Sequence, residues 1–317
     1  MTRRLEASGC VELAAVERSG LIESRHLGAA VVLSPLGEEL LAFGDVDALV
    51  FPRSSLKPFQ AAAVLRTGVA LDEVQTVLAT ASHAGTPEHL AVVERMLRDA
   101  GLDGSALQCP SVYPVDPAAA RHSPGPSRLA YNCSGKHAGF LAACVHAGWD
   151  PATYLDPAHP VQRAVAAVVE EYTGHRIEVS GVDGCGAPVH AVTVRAMARG
   201  ISRLVRDGAE GSRIASAVRA HPWAIESPGG PNTVAIERCG IVAKGGAEGF
   251  LVAAASDGTT VALKMLDGAN RATTLVALSL LARVGAVDSA SAAEVIRRVT
   301  PAITGGGESV GEIRLTV

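Results

Sequence analysis

The sequence predicts a mixed α/β (α+β) fold, with an antiparallel sheet drawn from both chain ends beside a helical lobe. Three observations carry this prediction. Apolar and β-branched runs bounded by turn residues cluster near the two ends, and apolar residues at helical spacing fill the middle. At 317 residues, 48% of them hydrophobic, the chain is long enough for one large core or two lobes. The expected division is a sheet lobe of about 1–55 and 235–317 and a helical lobe of about 56–234, both within one unit covering 1–317. A cleft between the lobes would be the default site.

The elements follow in order. Leu27–Ser34 and Glu38–Gly44 read as strands around a Pro35-Leu36-Gly37 turn. Pro58–Leu65 reads as a short helix, and the apolar spacing in Glu88–Leu97 predicts another. Residues 110–130 carry five prolines with Ser and Gly, so a long loop is expected. Ala138–Ala147 and Val161–Tyr172 read as helices. Ile177–Val182, short and β-branched, reads as a buried strand ending in the glycine-rich turn Gly181–Gly186. Helices are expected again at Val192–Arg199 and Ile214–Ala220. Late strands are expected at Phe250–Ala255, Thr260–Met265 and Glu312–Val317, with an apolar helix Ala272–Val284 before the last.

Bulk properties exclude several function classes. Net charge is -4 and aromatic content is 3%, which disfavours nucleic acid and base-stacking surfaces. No run reaches the ~18 apolar residues of a spanning helix. The start, Met1-Thr2-Arg3-Arg4-Leu5-Glu6, leads into no apolar h-region, so a cytoplasmic location without membrane partners is expected. The six cysteines, Cys10, Cys109, Cys133, Cys144, Cys185 and Cys239, are far apart and show no disulfide pattern.

The cations are unevenly chosen. Of 28 basic residues only four are lysines: Lys57, Lys136, Lys244 and Lys264. Arginine keeps its proton in a protein, whereas a partly buried lysine can lose it. Lys57, Lys136 and Lys244 sit among small residues and hydroxyls, the setting for chemistry that needs a neutral amine.

Five segments carry that chemistry. In Ser54-Ser55-Leu56-Lys57, at a helix start, positions i and i+3 share a face, so the amine can reach the serine hydroxyl and act as its base. Taken alone the pattern is common, and an N-capping serine beside a solvated lysine is the plainer reading. Arg53 adds a fixed cation able to bind a carboxylate. Ala81-Ser82-His83 offers a second hydroxyl, or equally a helix cap with Gly85 ending one helix and Thr86 starting the next. Tyr131-Asn132-Cys133-Ser134-Gly135-Lys136-His137 is overdressed for a cap; the backbone at Ser134-Gly135 could hold an oxyanion at a helix start. Asp183-Gly184-Cys185-Gly186 sets a carboxylate and a thiol on a tight turn. If Cys133 and Cys185 converge, they could hold zinc with His137, Lys136 or Asp183; a β-turn with a buried thiol is as good a reading on spacing alone. Lys244-Gly245-Gly246 after an apolar strand is similar to the Lys-Thr-Gly segment of serine β-lactamases, or is a solvated loop lysine.

In this order the segments resemble the Rhizobium-type (class 3) L-asparaginases, the asparaginase II family. The resemblance rests on Arg53-Ser54-Ser55-Leu56-Lys57-Pro58, Ala81-Ser82-His83, Asn132-Cys133-Ser134-Gly135-Lys136-His137, Asp183-Gly184-Cys185 and Lys244-x-Gly-Ala. It implies a serine β-lactamase/glutaminase-like fold, a homodimer, and hydrolysis of the small molecule L-asparagine to L-aspartate and ammonia. Two Ser-Lys pairs are implied, Ser54 with Lys57 and Ser82 with Lys244, with Asp183 orienting Ser54 or the substrate amine. Arg53, His83, Asn132, Ser134, Gly135 and Gly184 are expected to contact substrate. Zinc is implied on Cys133, Lys136 and Cys185, with the lysine neutral. One departure is the stretch Ala84-Gly85-Thr86, where the family often has an acidic residue. The expected chemistry is acyl transfer, with Ser54 or Ser82 attacking the carboxamide. Rival readings are a β-lactamase or peptidase-like hydrolase, and a zinc- or amino-acid-binding protein without turnover.

Overall fold

The computed structural model describes residues 3–317. The chain forms two compact units, one of Met1–Ser55, Ala191–Arg203 and Val234–Val317, the other of Leu56–His190 and Leu204–Thr233.

The first unit is built on an eight-stranded antiparallel sheet. Its strands are β1 (Val11–Arg18), β2 (Leu21–Leu33), β3 (Glu39–Phe43), β4 (Val242–Gly246), β5 (Phe250–Ala254), β6 (Thr260–Met265), β7 (Ile303–Gly305) and β8 (Glu308–Leu315). They lie in the order β7-β8-β1-β2-β6-β5-β4, with β3 also paired to β2, so strands from both chain ends share one sheet. The turn between β1 and β2 is Ser19-Gly20, both at positive φ (49° and 83°), the backbone that a two-residue hairpin demands. The expected turn at Pro35-Leu36-Gly37 forms, with Gly37 at φ 85°. The helix Thr273–Arg283 is buried almost throughout and packs on β5 and β6. The structure exceeds the sequence reading in several places: β1, β7 and the helix Ser289–Val299 were not foreseen, β2 begins at Leu21 rather than Leu27, and β8 begins at Glu308 rather than Glu312.

The second unit is helical, with α1 (Lys57–Arg66), α2 (Glu73–Thr80), α3 (Pro87–Asp99), α4 (Ser134–Ala147), α5 (Pro160–Thr173) and α6 (Ala209–Ala220). Helix α4 is buried from Ser134 to Cys144 and packs against α1, α2, α3 and α5. A helix apolar on every side belongs at the centre of its unit. Its neighbours start and stop on capping signals: Asp72 with Gln75 opens α2, Thr86 with His89 opens α3, and left-handed Gly148 and Gly174 close α4 and α5. The proline-rich stretch 110–130 is mostly loop, holding one short helix, Pro117–His122, and a bridge between Val112 and Ser127. Ile177–Val182 is not the buried strand expected. Only Ser180–Val182 is extended, it pairs with Pro188–His190, and Val182 is 78% exposed. Among the described residues no helix is long and apolar enough to cross a membrane.

Candidate active site

In the sheet unit, Arg53–Leu56 forms one 3-10 turn that runs directly into α1. Arg53 is held at φ 53°, a left-handed backbone uncommon outside glycine and a frequent companion of functional turns. Ser54 on this turn is half-buried, and its hydroxyl makes no hydrogen bond among the described residues. Ser55 faces inward, and its Oγ donates to Lys244 O on β4 at 2.8 Å. The close approach of turn and strand depends on Gly246. A Cβ there would lie 2.2 Å from Pro52 O and 3.1 Å from Ser55 Oγ. Lys244 itself is buried, and its Nζ donates to Gly245 O at 2.5 Å.

In the helical unit, Lys57 opens α1 and is 1% exposed. Its Nζ donates to Ala81 O and, at 2.9 Å, to Ser82 Oγ. Ser82 is not part of a helix cap at Gly85. Helix α2 stops at Thr80 on an extended Ala81, and the segment that follows lies outside any helix, tied by its backbone to other chain segments. Ser82 N–H donates to Ile225 O at 2.9 Å, His83 N–H to Asn132 O at 3.1 Å and Ala84 N–H to Glu226 O at 2.8 Å. The amine and the hydroxyl therefore meet on a fixed backbone.

Lys57 also reaches Cys133, which precedes α4. The hydrogen bond from Cys185 is the main cause holding the Cys133 thiol well below the ordinary value; burial opposes it, and the charges of Lys57 and Lys136 reinforce it. The same bond, with burial, pushes Cys185 up. The two sulfurs are thus pushed in opposite directions by their shared hydrogen bond, and Lys136 Nζ lies 2.9 Å from Cys185 Sγ. Burial alone would pull Lys136 down, but Cys185, Cys133 and Asp183 outweigh it and leave the amine raised. The sulfurs and Asp183 thus favour the charged form of Lys136.

Asp183 sits on the turn of the hairpin Ser180–His190. Its Oδ1 accepts Gly184 N–H at 2.9 Å and its Oδ2 lies 3.9 Å from Cys185 Sγ. Gly184 is exposed on the same turn, and the Oδ1 of half-buried Asn132 lies 3.3 Å from Cys133 Sγ. Ser82, Lys57, Cys133, Cys185, Lys136 and Asp183 therefore form one connected polar group.

Three residues expected to contact substrate are spent on structure instead. His83 is fully buried: Nδ1 accepts Gly85 N–H at 3.2 Å, so Nε2 carries the proton and donates to Ser134 Oγ at 2.9 Å. Ser134 is equally buried and passes its own proton to Leu129 O at 2.7 Å. Burial, with His89 and Lys57 nearby, holds His83 neutral. Gly135 lets α4 approach α2, since a Cβ would lie 2.5 Å from Leu78 O. His137, one alternative metal donor, gives Nδ1 to Tyr154 OH at 2.7 Å, and burial keeps it neutral. Not singled out from sequence was Tyr131, whose phenol burial, Cys133, Cys185 and Asp183 push up to about 12. Its place beside Cys133 in the polar segment was the available signal.

Two sulfurs and an amine in one buried corner are donors of the kind zinc takes, and Cys133 already has thiolate character. In kind, the set fits. In number it is spare: among the described residues no group of three or more His, Cys, Asp or Glu is gathered to hold a metal ion, so a third donor is reached only through Lys136.

A family model described as L-asparaginase II matches residues 14–315. A search of curated proteins gives no match. Among solved structures, a β-lactamase from Mycobacterium bovis is 15% identical, with a TM-score of 0.48 over 81% of this chain and 94% of that one. A protein named Mglu in its native form is 16% identical, with a TM-score of 0.38 over 81% of this chain and 64% of that one. Its tris and glutamate form is 15% identical, with a TM-score of 0.39 over 87% and 63%.

Proposed function

We propose a reaction from one premise: the chain belongs to the L-asparaginase II family, a family of amidohydrolases. The reaction is hydrolysis of L-asparagine to L-aspartate and ammonia by Ser-Lys nucleophilic catalysis. The observation that carries this reading is the buried Lys57 amine hydrogen-bonded at 2.9 Å to Ser82 Oγ, within a group that also contains the hydrogen-bonded pair Cys133 and Cys185. A buried lysine with its amine on a serine hydroxyl is equipped to move a proton.

Ser54, half-exposed on the turn that feeds Lys57 into α1, is the attacking serine. It gives its proton to Lys57 and its oxygen bonds to the carboxamide carbon. Lys57 and Ser82 carry the proton to the departing ammonia. Water then cleaves the acyl-serine ester to release aspartate and restore Ser54. Lys244 is assigned to the same proton traffic as the partner of Ser82. Arg53 supplies the fixed cation for the substrate carboxylate. Asp183 steadies the Cys133–Cys185–Lys136 group.

Zinc belongs to this proposal, held by Cys133, Cys185 and Lys136 once the amine has lost its proton. Bound there it would supply a fixed positive charge that positions substrate, since two thiolates leave zinc a weak Lewis acid. Metal analysis of protein purified with zinc tests this part. Stoichiometric zinc in the wild type, lost in Cys185→Ala, is expected; no zinc in the wild type contradicts it.

The activity is tested by ammonia release from L-asparagine and L-glutamine, with nitrocefin as a β-lactam control. Ammonia from asparagine with nitrocefin intact is expected. Nitrocefin cleavage without amide hydrolysis, or no turnover of any of the three by folded protein, would overturn the assignment.

A further inference from the structure

Ile225 and Glu226 run alongside the segment that carries Ser82. Two backbone bonds, Ser82 N–H to Ile225 O at 2.9 Å and Ala84 N–H to Glu226 O at 2.8 Å, hold them there. Ile225 O accepts from Ser82 itself, so the next residue, Glu226, begins beside the serine that Lys57 holds.

The Glu226 carboxylate is turned onto Asn232. Its Oε2 accepts Asn232 N–H at 3.0 Å and Asn232 Nδ2 at 3.2 Å. Gly230 leaves room for this, because a Cβ there would lie 2.6 Å from Oε2. With Nδ2 committed to Glu226, the amide orientation is fixed, and the other end of the amide, Oδ1, is a buried acceptor without a donor. Capping of the helix Pro231–Cys239 explains the contact of Oε2 with Asn232 N–H, but not a buried amide oxygen left unpaired. Glu226 takes part in no ion pair among the described residues. A carboxylate with no cation and an amide oxygen with no donor form a receptor for a group that brings positive charge and several N–H bonds at once. A primary ammonium is that group.

We propose that Glu226 and Asn232 bind the α-ammonium group of the amino-acid substrate, so that preference for α-amino acid amides over their deamino counterparts resides in these two side chains. This rests on the reading of the chain as an asparagine amidohydrolase. In L-asparagine the ammonium nitrogen lies three bonds from the carboxamide carbon, so its receptor must lie close beside the reacting groups.

The test is calorimetric binding of L-aspartate and of succinate, its deamino counterpart, to the full-length wild type, Glu226→Gln and Asn232→Leu. The wild type is expected to bind aspartate at least tenfold more tightly than succinate, and each folded variant to lose most of that ratio. Glu226→Gln nearly preserves shape, so it decides the matter even if Asn232→Leu fails to fold. A generally loosened site would weaken both ligands equally and leave the ratio intact. Equal wild-type affinities, no binding of either ligand, or a ratio retained in Glu226→Gln would overturn the proposal. Selective aspartate binding without ammonia release would leave the ammonium receptor standing and remove the reaction. Hydrolysis of asparagine and succinamate with equal kcat/KM would do the reverse.

Discussion

Gly246→Ala is the smallest perturbation that separates the serine turn from the strand carrying Lys244. The added methyl would sit 2.2 Å from Pro52 O and 3.1 Å from Ser55 Oγ. Carbon and oxygen do not approach that closely, so turn and strand must part by roughly 1 Å to restore ordinary contact. Overpacking of this kind costs about 1–3 kcal/mol. It also strains the hydrogen bond from Ser55 Oγ to Lys244 O, which joins the two segments at 2.8 Å. A shift of about 1 Å in a catalytic group lowers turnover roughly 100-fold. The assays are thermal melting and steady-state ammonia release from asparagine. A melting midpoint lowered by several degrees together with a kcat loss near that size is expected. A variant that melts lower yet keeps full kcat would refute the view that Gly246 positions the serine turn for catalysis. Unchanged melting and turnover would refute the close approach itself.

Further outcomes follow from the same geometry. Lys57→Met leaves the buried Ala81 carbonyl without its donor, for a stability loss of about 1–3 kcal/mol by chemical denaturation; ammonia release should fall by roughly 100-fold or more. Burial holds His83 and His137 well below the ordinary histidine value of 6.5, so the unfolded chain takes up protons that the folded chain refuses as pH falls through that value. Stability should therefore decline on acidification from pH 7 toward pH 5, and a folded His83→Gln protein should show a shallower decline; a slope independent of that substitution would contradict the buried neutral imidazole. Gly135→Val should lower the melting midpoint, because its Cβ would meet Leu78 O at 2.5 Å; an unchanged midpoint would show that α4 and α2 have slack between them.

What was legible in the sequence was local. The cap at Thr86 and the apolar spacing of α3 and α5 arise from neighbours in the chain, and such elements can be read residue by residue. Strand β1 escaped because Glu12, Glu17 and Arg18 break its pattern, while its support comes from β2 and from β8 at the far end of the chain. Ile177–Val182 looked like a buried strand by composition, yet its extended part pairs only with Pro188–His190 and stays exposed. At the site, residue types were legible but partners were not. Spacing places Lys57 three residues after Ser54, whereas its amine hydrogen-bonds to Ser82 Oγ, because the Ala81–Ala84 segment is held by Ile225, Asn132 and Glu226. His83 and Ser134 stood in polar motifs and were expected at the substrate, but burial consumes their hydrogen bonds. Glu226 and Asn232 carried no motif at all, and only the folded backbone brings them beside Ser82.

The most direct test of the central claim is the initial rate of ammonia release from L-asparagine by wild type, Ser54→Ala, Ser82→Ala and Lys57→Met at matched concentration and verified fold. Ser-Lys catalysis predicts turnover in the wild type, its abolition in Ser54→Ala, and a deep loss in the two proton-carrier variants. Full turnover in Ser54→Ala would show that this serine is not the nucleophile, and full turnover in Lys57→Met would remove Ser-Lys chemistry from the account.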